Sequence, residues 1–212
     1  MPSSWTDGIE TVIGVAWKLA PRSVFDVGAG SGKYGVLFRE YLDARHRDEN
    51  AAYTHSRATT IDGVEDNPAY IGDLHRAVYD TMFPMLIQDF LSKHGEKRYD
   101  LIYAGDVIEH LEKSYAKEIA IPQLLEMSGM GLLISVPYAA GAQGAVFCNE
   151  LERHRSQWSA ADFRSLAPFS HIGRMGDQLI AFLAKNRESV AKIKTRYRRR
   201  IKMAALALRE GW

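Results

Sequence analysis

Cysteine is nearly absent from this chain. Cys148 stands alone among 212 residues, so no disulfide can form within it, and a reducing, cytoplasmic setting fits best. The first residues, Met1-Pro2-Ser3-Ser4-Trp5-Thr6-Asp7, lack the basic start and apolar run of a secretory leader. No stretch reads as a membrane span. Met127 to Asn149 carries no charge, but its four glycines, Pro137 and polar residues predict a strand followed by a loop. A strong net charge is also missing, since the formal value is +1. That value conceals an asymmetry. Residues 186–212 hold nine Lys/Arg against two acids, whereas the first 185 hold 18 against 24. An acidic body suits a nucleic-acid groove poorly and a neutral or cationic small substrate better.

The length predicts one domain with a substantial core. Its organising stretch is residues 24–35. Val24 to Val27 read as a buried strand, Gly28, Gly30 and Gly32 alternate through a turn, and a helix runs from Lys33 to about Asp43. A glycine loop between strand and helix lets a ligand lie against bare backbone and uses the N–H groups of the helix start. A dinucleotide fingerprint requires Gly or Ala three residues after the second glycine; Lys33 stands there, which argues against NAD.

Residues 8–20 space apolar groups like a helix that stops before Pro21. Residues 44–59 are polar and aperiodic and read as a surface excursion. Thr60 to Glu65 is a second strand ending in an acid, where nucleotide-binding sheets place the carboxylate that accepts from ribose hydroxyls. Glu65 takes that role, with Asp66 and Asn67 as alternatives. A helix from about Ala69 to Asp80 leads to a third strand, Met85 to Phe90. A fourth runs from Tyr99 to Asp106, a helix from Ser114 to Met127, and a fifth strand from Gly131 to Pro137. Tyr138 to Phe147 forms a lid-like loop. Ser159-Ala160-Ala161-Asp162 is a capping box opening a helix. Ser170–Arg174 and Gln178–Leu183 supply the last two strands. Alternating strands and helices predict a doubly wound sheet whose ligands bind at the carboxyl ends of the strands. Past Asn186, Val190, Ile193, Tyr197, Ile201, Ala205 and Leu208 mark one face of a basic amphipathic helix. Such a helix packs on its own domain or on a second subunit, as in a homodimer, or else grips RNA, an acidic partner or a membrane surface.

Asp26-Val27-Gly28-Ala29-Gly30-Ser31-Gly32, together with Asp100-Leu101-Ile102 and Asp106-Val107-Ile108-Glu109-His110-Leu111, resembles the motifs of class I S-adenosylmethionine (SAM) methyltransferases. The resemblance covers roughly residues 20–185. It implies a Rossmann-like α/β fold with a seven-stranded sheet in the order 3-2-1-4-5-7-6, the last strand antiparallel. It implies a methyltransferase domain over 1–185, with residues 1–20 as an N-terminal helix and 186–212 as a basic C-terminal helix. It also assigns residues. The Asp26, Gly28, Gly30 and Gly32 loop meets the amino-acid end of SAM, and Glu65 meets its ribose. Asp89 accepts from the adenine amino group, Phe90 lies against the ring, and Asp106 lies beneath the sulfonium end.

A second constellation overlaps the first. If the chain turns helical after the fourth strand, Asp106, Glu109 and His110 share one face. With the remote His154-x-x-x-Trp158, the set resembles the metal site of small-RNA 3′-end 2′-O-methyltransferases. That likeness implies Asp106, Glu109, His110 and His154 as ligands, although Asp106 stands where that family has Glu. A cation lowers the pKa of a hydroxyl and fixes its direction, and carboxylates with imidazoles suit Mg²⁺ or Mn²⁺. In a metal-free reading His110 or His154 takes the hydroxyl proton directly. The site is also similar to that of bacterial polysaccharide sugar O-methyltransferases. The sequence thus predicts O-methylation of a sugar, oligosaccharide precursor or similar polyol. An RNA 2′-hydroxyl gripped by the basic tail and a non-catalytic SAM-binding module are the alternatives.

Overall fold

The computed structural model describes residues 6–46, 57–138, 143–146 and 149–194. The strands are β1 (Ser23–Val27), β2 (Thr60–Val64), β3 (Thr81–Phe83), β4 (Tyr99–Gly105), β5 (Ser128–Pro137), β6 (Phe169–Met175) and β7 (Gln178–Ala184). They form one sheet in the order β3-β2-β1-β4-β5-β7-β6. The first five pair in parallel, while β7 runs antiparallel between β5 and β6. This is the predicted order and direction.

Helices cover both faces, so the central strands are apolar on both sides. In β4, Leu101 and Tyr103 point to one layer and Ile102 and Ala104 to the other. The first layer holds α1 (Ile9–Leu19), α2 (Lys33–His46), α3 (Asp73–Val78) and α8 (Arg187–Lys194). The second holds α4 (Ile87–His94), the continuous helical run of α5 (Lys113–Tyr115), a π-helical turn (Ala116–Ala120) and α6 (Ile121–Met127), and then α7 (Ala160–Arg164). Helix α7 opens on the predicted capping box: Ser159 Oγ accepts from the Asp162 N–H while the Asp162 carboxylate accepts from the Ser159 N–H.

Two local expectations change. The third strand is Thr81–Phe83, and the expected strand Met85–Phe90 is mostly helix α4. Pro84 ends the short edge strand, and Ile87, Phe90 and Leu91 bury one helical stripe. The helix expected from Ala69 to Asp80 shortens to α3. Asn67 instead accepts from the N–H groups of Ala69 and Tyr70 in a turn. The start of the basic segment packs on its own domain, one of the readings the sequence offered: α8 buries Val190 and Ile193 in the first layer, and Lys18 Nζ donates to Ile193 O at 2.7 Å. Most of the polar excursion, much of the lid-like loop and the tail beyond Lys194 lie outside the described residues. No helix among the described residues is long and apolar enough to cross a membrane.

Candidate active site

The parallel strands deliver their carboxyl ends to one cavity of about 920 Å³. Gly28 to Gly30 come from the loop after β1 and Lys33 from the start of α2, Asp66 follows β2, and Met85 to Gln88 follow β3. Asp106, Glu109 and His110 follow β4, and Glu152 and His154 close the far side.

The glycine loop is held by its neighbours. The N–H groups of Gly28 and Ala29 both donate to Val64 O, and the Gly32 N–H donates to Ala29 O. Gly28 has φ +71°, and a Cβ there would strike Val107, so the backbone is bare where the cavity meets it. Asp26, expected to contact the cofactor, does not line the cavity. It is 2% exposed and accepts from Tyr79 Oη at 2.6 Å. Burial pushes its carboxyl up to about 6, against the opposing pull of that hydrogen bond and of Lys33.

Glu65 lies immediately after β2, as predicted, but its carboxylate turns inward. Oε2 accepts from the Gly30 N–H at 2.8 Å and Oε1 from the Asn67 N–H at 2.9 Å. Burial pushes it up to about 7. The carboxylate of this segment that lines the cavity belongs to Asp66, which the sequence left as an alternative. The adenine pair expected at Asp89 and Phe90 is overturned by the helix they occupy. Asp89 is exposed outside the cavity, and Phe90 is fully buried, stacked on Phe25 with ring centroids 4.5 Å apart. Met85, Leu86, Ile87 and Gln88 form the wall there instead. The signal that could have found them is Pro84, which marks where the strand must end.

Asp106 takes a left-handed backbone (φ +52°) and lines the cavity, yet it stands apart from the predicted ligand cluster. Its carboxylate accepts from Gln178 Nε2 of β7 at 2.9 and 3.2 Å. The segment after β4 is a single 3-10 turn, Ile108–His110, rather than a helix beginning at Asp106. Hence the i, i+3, i+4 face does not form across all three residues.

The other three candidate residues do converge. One donor atom each from Glu109, His110 and His154 lies within 4.8 Å of the others. Residue 154 arrives from far along the chain because the Arg155 and Ser156 N–H groups both donate to Glu109 O, at 2.8 and 3.0 Å. Trp158 anchors this segment, stacked on Phe163 and donating through Nε1 to Ser156 Oγ. Glu109 is buried, and neither carboxylate oxygen has a hydrogen-bond partner among the described residues. Burial, then the nearby charges of Asp106 and Glu152, hold its carboxyl well above the usual carboxylate range. His110 Nδ1 donates to Arg153 O at 3.1 Å, which leaves Nε2 as the nitrogen not used by that bond. Tyr70, which sequence reasoning missed, donates to Glu152 Oε1 at 3.1 Å. A second cavity of about 270 Å³ shares Glu109, Pro137 and His154 with the first and continues past Lys113, Gln157 and Ser159.

No protein-family model matches the chain, and no curated protein matches it. Solved structures do. An O-methyltransferase family protein from Burkholderia thailandensis superposes with a TM-score of 0.57 at 15% identity, covering 84% of this chain and 56% of that one. The N-terminal domain of EvdMO1, solved in the presence of S-adenosylhomocysteine (SAH) and D-fucose, gives 0.55 at 12% identity over 85% and 82%. The methyltransferase domain of bacterial CtHen1-CN gives 0.54 at 17% identity over 84% and 97%. The chain therefore has the fold of class I SAM-dependent methyltransferases, and it spans little more than half the length of the Burkholderia protein.

Proposed function

We propose that this chain is a SAM-dependent O-methyltransferase acting on a hydroxyl of a sugar or similar polyol, with a divalent cation held by Glu109, His110 and His154. The observation that carries the reading is the convergence of these three side chains on a cavity that begins at the glycine loop, with Glu109 and His154 also lining a second, smaller one. The residues fit both absent groups. Bare backbone at Gly28 and a carboxylate at Asp66 suit the cofactor. A buried carboxylate with two unpartnered oxygens beside two imidazoles suits Mn²⁺ or another imidazole-binding divalent ion better than Mg²⁺.

SAM supplies a methyl group already activated on sulfonium, and a cation at the cluster would lower the pKa of the acceptor hydroxyl. The protein's share is placement. The glycine loop takes the amino-acid end, Asp66 the ribose hydroxyls, and the apolar wall at Met85 to Ile87 the adenine. The second cavity takes the acceptor. Its volume suits one sugar ring, and Lys113 and Gln157 line it with polar groups that can meet hydroxyls. The acidic body and the D-fucose present with the EvdMO1 domain support the same choice. Arg153 O orients His110, so its Nε2 faces away from that carbonyl. Glu152, oriented by Tyr70, is the carboxylate left to receive the acceptor proton when both imidazoles are engaged.

Calorimetric titration of SAH, then of Mn²⁺ into the SAH-loaded protein, tests this. The wild type should bind both, and His154→Ala should keep SAH and lose the saturable Mn²⁺ signal. Absence of SAH binding would overturn the whole reading. SAH binding with Mn²⁺ behaving alike in wild type and His154→Ala would remove the cation and leave histidine as the base.

A further inference from the structure

We propose that His75 is a positioning residue for cofactor recognition, clamping the glycine loop into its binding shape from beneath. The inference rests on the cofactor reading above. His75 is 2% exposed, on α3, away from the cavity lining. Its Nε2 lies 2.9 Å from Gly30 O, and its Nδ1 lies 3.2 Å from the Gly72 N. A carbonyl only accepts and a backbone N–H only donates. The ring is therefore neutral, with its proton on Nε2, and both nitrogens are used.

Gly30 is thus held on both sides of its residue. Its N–H is taken by Glu65 and its C=O by His75. The same imidazole lies under Gly32, where a Cβ would come within 3.5 Å of Nε2. One turn further on, Tyr79 stacks on His75 with ring centroids 5.6 Å apart and donates to Asp26, the penultimate residue of β1. Two side chains four residues apart therefore fix the base and the middle of the loop. Gly28, Gly30 and Gly32 all have positive φ, so the loop residues are the most permissive in this part of the chain and gain most from external restraint. A loop already held in place leaves the cofactor less ordering to do on binding.

The test compares wild type with His75→Phe, His75→Gln and His75→Asn by SAH calorimetry and by thermal melting without ligand. Gln can still donate towards Gly30 O, whereas Asn reaches only the Gly72 side and Phe reaches neither. The expected order of SAH affinity is wild type, then Gln, then Asn and Phe, with Phe roughly five- to ten-fold weaker than wild type, as one lost hydrogen bond implies. The Gln–Asn pair carries the test if Phe does not fold. Equal SAH affinity across wild type and the folded variants would overturn the proposal alone. So would equal weakening in Gln and Asn that merely follows their melting temperatures. Failure of the wild type to bind SAH would overturn the cofactor reading and this proposal with it.

Discussion

Replacing Asp26 by Asn should stabilise the protein at neutral pH, although Asp26 opens the glycine motif. The carboxyl is 2% exposed, and its folded-state value is about 6 against an ordinary 3.8. The folded state therefore holds the proton more tightly than the unfolded chain. The associated stability is fully present below pH 3.8 and is lost as pH rises through about 6. Two pH units correspond to roughly 3 kcal/mol, and the hydrogen bond from Tyr79 is already included in that balance. Asn has the shape of the neutral acid, carries no proton to lose, and its Oδ1 can still accept from Tyr79 Oη. Urea unfolding of both proteins, followed by circular dichroism from pH 4 to 8, should show a difference that grows between pH 4 and 6. It should level off with the Asn variant about 2–3 kcal/mol more stable. The other titrating groups largely cancel in the difference. A difference that does not change with pH, or an Asn variant less stable at pH 8, would refute the assignment of burial as the dominant effect on Asp26.

Two further outcomes follow from the geometry. Asp66→Ala should weaken SAH binding about ten-fold, the loss of a charged hydrogen-bond partner, while Asp89→Ala, on the exposed face of α4, should leave SAH calorimetry unchanged. Truncation after Lys185 should lower the melting temperature, because it strips Val190 and Ile193 from the first layer; Ile193→Ala alone should lower unfolding free energy by about 2–4 kcal/mol in urea titration.

The order of elements along the chain was legible because burial imposes periods. Val24 to Val27, Leu101 to Ala104 and the seven buried residues of β7 read as buried strands, and their alternation with helices leaves few topologies. The glycine loop was legible too, since φ values of +71° and +86° at Gly28 and Gly32 demand residues without Cβ. The edge was harder. β3 has only three residues, and the apolar residues after Pro84 fit a strand or a helix until their packing decides.

Side-chain direction lay beyond the one-dimensional pattern. Sequence alone determined that acids lie at or just past the carboxyl ends of β1, β2 and β4, and that Glu109, His110 and His154 are candidates for one chemistry. Only the tertiary structure decided which of them meet. Asp26 turned to Tyr79, Glu65 to the Gly30 N–H and Asp106 to Gln178, because each lies next to a donor from a distant segment. Glu109 and His154, 45 residues apart, came together through two hydrogen bonds to the Glu109 carbonyl. A carboxylate turns to whichever donors the fold brings within about 3 Å, and those donors come from elements that the local sequence does not contain.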